Sequence, residues 1–150
     1  MVVSFFGHRD YPKERVSRDE PILLRLLEDT FGDNEVEFFL GGYGNFDAFA
    51  YNCCKKYKET HSNAKLIFVT PYITKSYGEG LELIRDKYDE IIFAEIENSP
   101  PKYAISHRNN WIVDKSDYVI AYVSLSFGGA YSAFARARRK KKLLYIFGKY

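Results

Sequence analysis

Cysteine, tryptophan and methionine are scarce in this chain, and no stretch of it stays apolar for long. Its 150 residues include two cysteines, one tryptophan and one methionine. Cys53 and Cys54 are sequence neighbours, so they cannot close the disulfide of a secreted scaffold, and the expectation for them is packing alone. They also lack metal-ligand spacing, and His8, His61 and His107 stand apart from one another, so no metal is expected. No window approaches the roughly 18 consecutive apolar residues of a membrane helix. The N-terminal MVVSFFGHRD has no basic segment ahead of its short apolar run, which argues against a secretory signal. A Walker A loop, a G-x-G-x-x-G fingerprint and a Ser-His-Asp or Cys-His arrangement are all missing, so no cofactor is implied by motif. These absences lead us to expect a soluble cytoplasmic protein without a membrane partner.

Apolar material is nonetheless ample. The chain is 46% hydrophobic and 28% charged, which supports a packed core and argues against disorder. Its length suits one domain spanning residues 1–150. Aromatic residues make up 17%, with 13 Tyr and 12 Phe. The net charge of +2 hides an asymmetry: Arg136, Arg138, Arg139, Lys140, Lys141 and Lys142 are six of the 22 cations. Such a cluster suits nucleic acid, or the solvated end of a helix whose dipole favours cations.

Short apolar runs alternate with helical periodicity. Val2–Phe6, Val36–Leu40, Lys65–Val69, Glu90–Ala94, Tyr118–Val123 and Leu143–Phe147 read as strands. Between them, Pro21–Leu27 reads as a helix ending near Gly32, and Phe46, Phe49, Ala50, Cys53 and Tyr57 mark one face of a second. Leu81, Ile84 and Tyr88 suggest a helix before the fourth strand. Ala104, Arg108, Trp111 and Ile112 suggest one after it, and Gly128-Gly129 opens a last helix through Phe134 and Arg138. Strands separated by helices call for right-handed crossovers: an α/β fold, with a mainly parallel sheet of about six strands and helices on both faces.

In such a sheet, ligands gather outside the carboxyl ends of the strands. Gly7, His8 and Arg9 follow the first strand; Gly41, Gly42, Gly44, Asn45 and Asp47 follow the second; Thr70 follows the third, and Glu95 the fourth. Both glycine turns, the one after strand two and Gly128-Gly129, stand directly before a helix, where backbone N–H groups and the positive dipole end suit a phosphate. Arg9 and Arg108 suit bidentate contacts to phosphate or carboxylate. His8 suits a ligand contact or simple packing, and Asp47 a ribose hydroxyl, a base or a helix cap. Tyr43, Tyr72, Trp111 and Tyr131 are candidates to stack on a base, although most of the Tyr and Phe must be core.

The ordered motifs VSFFGHRD, FFLGGYGNFDAFAYNC, SHRNNWIVDKSDYVIAYV and GGAYSAFARARRKKKLLYIF resemble the SLOG superfamily over nearly the whole chain. The most similar branch is that of small stand-alone bacterial proteins with a Gly-His-Arg first loop and no assigned function. The resemblance implies a Rossmann-like fold and a pocket for a nucleotide or related phosphate-bearing ligand, with homodimers common among members. Relatives include the DNA-processing protein of natural transformation, the phosphoribohydrolases that activate cytokinins, and sensors of nucleotide-derived signals. By position, Arg108 matches a catalytic arginine of the phosphoribohydrolases, and Gly128 and Gly129 their Pro-Gly-Gly loop. The same alignment puts Phe134 and Ala135 where those enzymes carry catalytic glutamates. Neither can serve as acid or base, or stabilise a ribosyl cation.

The expected function is therefore nucleotide-ligand binding without turnover, as a sensor, carrier or sequestering protein. Two alternatives stand beside it. One is an N-glycosidase or deoxyribosyltransferase-like enzyme using Arg108, Asp47 and Glu95. The other is DNA binding through the basic Arg136–Lys142 helix end.

Overall fold

The computed structural model describes residues 1–42, 44–70, 85–94 and 100–148. Six strands form one sheet: β1 (Val2–Gly7), β2 (Val36–Leu40), β3 (Ala64–Thr70), β4 (Glu90–Phe93), β5 (Tyr118–Val123) and β6 (Leu143–Gly148). Four helices are described: α1 (Val16–Phe31), α2 (Gly44–Thr60), α3 (Ala104–Lys115) and α4 (Gly129–Arg139). Every strand pairing is parallel, and the spatial order is β4-β3-β2-β1-β5-β6. This is a Rossmann-like α/β architecture.

The chain builds outward from β1 through β2, β3 and β4, then returns to place β5 on the other side of β1. Strand order therefore reverses between β1 and β5, where open α/β sheets leave a crevice at their carboxyl edge.

Alternation along the strands divides the core into two layers. Val3, Phe5, Phe38 and Leu40 point toward Leu23, Leu27 and Phe31 of α1 and toward Phe46, Phe49, Ala50, Cys53 and Tyr57 of α2. Phe6, Phe39, Ile67 and Val69 point the other way, toward Ile112 and Val113 of α3 and Ala133 and Ala137 of α4. Each fully buried Phe or Leu in these layers contributes about 1.5–3 kcal/mol of transfer free energy. Ser4 falls among apolar neighbours, and its hydroxyl accepts a 2.8 Å hydrogen bond from Ser116.

Two boundaries differ from the sequence expectation. Helix α1 begins at Val16, behind a 3-10 turn at Lys13–Arg15, and carries Pro21 inside it. The expected span from Pro21 thus leaves out the first five residues of the helix. Tyr88 is not helical; it follows the 3-10 turn Arg85–Lys87 and packs its ring on Phe68 and Tyr51, at 5.2 and 5.3 Å between centroids. Leu81 and Ile84 lie outside the described residues.

The basic run ends α4 at the amino edge of the sheet, away from the crevice. Arg136 clasps Asp114 through Nε and Nη2, at 2.9 and 2.8 Å, and Lys140 joins the same carboxylate. Lys142 donates to the Val113 and Asp114 carbonyls near the end of α3. Three of the six cations thus stitch α4 and the following turn to α3. No helix among the described residues is long and apolar enough to cross a membrane.

Candidate functional site

A cleft of about 410 Å³ opens at the crevice and is the space that gathers most of the expected site residues. Gly7, His8 and Arg9 from the end of β1, Gly41 from the end of β2, Asp47 from the first turn of α2, Arg108 from α3 and Gly129 from the start of α4 all line it. Phe5, Phe6 and Phe39 make its apolar floor. Ile105, Asn109 and Ile112 complete the wall contributed by α3.

Arg108 is the buried cation of this wall, only 5% exposed. Its Nε and Nη2 donate to Asn109 Oδ1 at 3.3 and 2.8 Å, and Nη1 reaches the Val69 carbonyl at 3.5 Å. The guanidinium lies against Gly41: a Cβ built there would come within 3.3 Å of both terminal nitrogens. A side chain at that position would press on the guanidinium. Asn109 in turn stands 3.6 Å from the Cβ position of Gly129. These contacts hold a permanently charged, fork-shaped donor at the base of the cleft, a geometry that matches the oxygens of a phosphate or carboxylate.

Arg9 comes from the β1–α1 loop, which is fastened at several points. The Asn45 N–H donates to the Arg9 carbonyl at 3.0 Å, and Asn45 Nδ2 donates to the Tyr11 carbonyl at 3.3 Å. Tyr11 is buried, and its hydroxyl donates to the buried Asp19 at 2.7 Å; Arg15 pairs with the same carboxylate at 2.9 Å. Burial, and then the bond to Asp19, push the Tyr11 hydroxyl well above the usual phenol range. Arg9 itself remains exposed at the rim.

His8 spans the crevice. Its Nε2 accepts the Leu125 N–H at 3.4 Å, and Gly128 lies against it, with a built Cβ 3.9 Å from His8 Cε1. The imidazole therefore ties the loop after β1 to the loop after β5. Gly128 is the N-cap of α4, with φ +94° and no side chain to cap the first turn, so α4 opens onto the cleft with its amide donors uncapped.

The remaining expected residues do other work. Gly42 has φ +74°, and a Cβ on it would sit 2.7 Å from Phe68 Cε2, so this glycine turns the chain over β3. Gly44 lets α2 begin against Arg9, where a Cβ would stand 2.8 Å from Arg9 Cα. Thr70 is fully buried, and its carbonyl accepts the Ala94 N–H. Trp111 stacks on Phe39 at 6.3 Å and Tyr131 packs on Phe134 at 5.8 Å, so both aromatics cover protein surface. Phe134 is core, packed with Ala121 and Val123. Tyr43, Tyr72 and Glu95 lie outside the described residues. Cys53 and Cys54 are buried free thiols; burial pushes Cys53 up to about 12 and Cys54 well above its usual value.

Sequence reasoning missed Asn109, Ile105 and the phenylalanine floor. The signal for the first two was available: Ile105, Arg108, Asn109 and Ile112 recur at helical spacing, and two polar residues interrupt an otherwise apolar face.

No family model and no curated protein sequence matches the chain. Solved structures do. The chain is similar to DNA processing protein A (DprA) from Streptococcus pneumoniae, with a TM-score of 0.66 and 18% identity over 98% of this chain and 50% of that one. It is similar also to DprA from Helicobacter pylori, whose structure describes a unique single-stranded DNA binding mode. That match has a TM-score of 0.63 and 18% identity over 97% of this chain and 64% of the other. The chain thus has the Rossmann-like fold of these proteins, in line with the SLOG resemblance, and spans between half and two thirds of their length.

Proposed function

We propose that the cleft between β1 and β5 binds a nucleotide or nucleotide-derived ligand through its phosphate, as a sensor, carrier or sequestering protein. One observation carries the reading: Arg108 is buried, held in plane by Asn109 and Gly41, and shares one cleft with Arg9 and the uncapped start of α4. Arg108 and Arg9 thus line one cavity of ligand-binding size, into which α4 also opens.

The test is a thermal-shift screen against nucleoside monophosphates, cyclic and linear dinucleotides and ADP-ribose derivatives. A ligand at 100 times its Kd adds about 2.7 kcal/mol of stability. Arg9→Ala and Arg108→Lys are expected to lose that gain. Stabilisation undiminished in both variants refutes the assignment of the cleft. Chromatography of each hit separates binding from turnover: intact ligand supports a binding protein, and free base with ribose phosphate supports the N-glycosidase reading, with Asp47→Asn abolishing release.

A second reading is favoured by the likeness to the Helicobacter pylori protein, which binds single-stranded DNA. DNA bound through the Arg136–Lys142 end would lose affinity steeply with salt, because the counterions it releases gain less entropy at higher salt concentration. Neutralising Arg139 and Lys141, which lie exposed on that end, is expected to flatten the salt dependence. Affinity indifferent to salt excludes this route.

A further inference from the structure

The chain hides nearly all of its phenylalanines. Ten of the twelve are buried, whereas Phe127 is 67% exposed, more than any other large hydrophobic residue among those described. It belongs to the short loop between β5 and α4, whose last residue caps the helix that opens onto the cleft. Leu125 on the same loop is exposed as well, and Ile105 at the start of α3 is an exposed apolar side chain that lines the cleft itself. Phe127 and Leu125 thus stand on the loop that leads directly into Gly129 and Ala130 of the cleft wall.

The loop that carries Phe127 is anchored on both flanks by one side chain. His8 accepts the N–H of Leu125 two residues before it and packs against Gly128 immediately after it. Gly128 then enters α4, its carbonyl accepting the Ser132 N–H at 3.0 Å. A loop fastened on both flanks pays little to order its backbone when a ligand binds to it.

From these relationships we propose that Phe127 is a stacking platform for an unpaired nucleobase whose phosphate occupies the cleft. The inference rests on the cleft reading above and adds the base to it. A flat π-face beside an anion site suits an aromatic base, and stacking tolerates any base because each has such a face. The roles sequence reasoning gave to Trp111 and Tyr131 pass to a residue it did not single out.

The probes are dAMP, dTMP, 2-deoxyribose 5-phosphate and decathymidylate, titrated by calorimetry or anisotropy into wild-type protein, Phe127→Ala and Phe127→Trp. Alanine is expected to weaken the two nucleotides about tenfold, the usual loss when a base-stacking ring is truncated, and tryptophan to preserve their affinity. Binding of 2-deoxyribose 5-phosphate, which has no base, should be the same in all three proteins. Decathymidylate bound more tightly than dTMP, with the alanine loss retained, assigns the base to a strand; equal affinity assigns it to a free nucleotide. If deoxyribose 5-phosphate binds and the alanine variant holds nucleotides as well as wild type, the platform is refuted while the cleft reading stands. If no phosphate-bearing probe binds, both fall. Self-association in sedimentation that disappears in Phe127→Ala, with nucleotide affinity unchanged, makes the surface a contact between copies and overturns the proposal.

Discussion

Gly7 passes directly beneath the ring of Phe46: a Cβ built on this glycine would overlap Phe46 Cγ, Cδ2 and Cβ. Phe46 is fully buried in the first turns of α2, and Gly7 is the last residue of β1 and part of the cleft wall. The pair sets how closely α2 approaches the end of β1, and with it the width of the cleft on that side.

Gly7→Ala should therefore destabilise the fold by about 1–3 kcal/mol, the usual cost of forcing an extra carbon into a packed site. Urea denaturation measures it. In a Phe46→Ala background the same glycine substitution should cost less, because Cγ and Cδ2, the two nearest overlapped atoms, are gone. Additive losses in the double variant would mean that the two residues do not meet in this way.

How much of this was legible in the sequence follows from what each element depends on. All six strands could be read because each is a short apolar run closed by glycine, a charge or a polar turn, which is local information. Gly7, His8, Arg9 and Gly41 could be placed because strand ends are local too, whereas Asp47, Arg108 and Gly129 stand on helices that the fold brings to the same edge. The structural duties of Gly42 and Gly44 could not be read, since they depend on Phe68 and Arg9, which are distant in sequence. Neither could the exposure of Phe127. With 25 Tyr and Phe in the chain, only the packed structure separates the ring left outside from the many inside.

Asp114 gives the molecule an acid-sensitive joint. Hydrogen bonding from Arg136, reinforced by Lys140, holds its carboxyl well below the usual carboxylate range, although burial opposes the shift. A carboxyl depressed in the folded state contributes stability above its unfolded value, ordinarily 3.8, and loses that contribution as pH falls below it. The side chain is 39% exposed, so solvent screening keeps the effect modest. Urea midpoints measured downward from about pH 5 should fall in wild type and fall less steeply in Asp114→Asn. Parallel curves for the two proteins would show that the α3–α4 joint does not titrate there.

Lys141 is the single non-glycine residue with positive φ among those described, at +60°. It follows α4 in a Schellman arrangement: its N–H donates to the Arg138 carbonyl at 3.1 Å, and the Lys142 N–H donates to the Ala137 carbonyl at 2.8 Å. This turn also delivers Lys142 to the carbonyls near the end of α3. Left-handed backbone costs a β-carbon-bearing residue roughly 1–2 kcal/mol, and glycine returns part of that as extra freedom in the unfolded chain. Lys141→Gly should accordingly raise stability by about 0.5–1 kcal/mol, with Lys141→Asn intermediate because asparagine tolerates this conformation. Lys141→Ala is the control, since it removes the same charge at the helix end but keeps the strain, and it should gain nothing. Equal stabilities for the glycine and alanine variants would mean that charge, not backbone conformation, governs the end of α4.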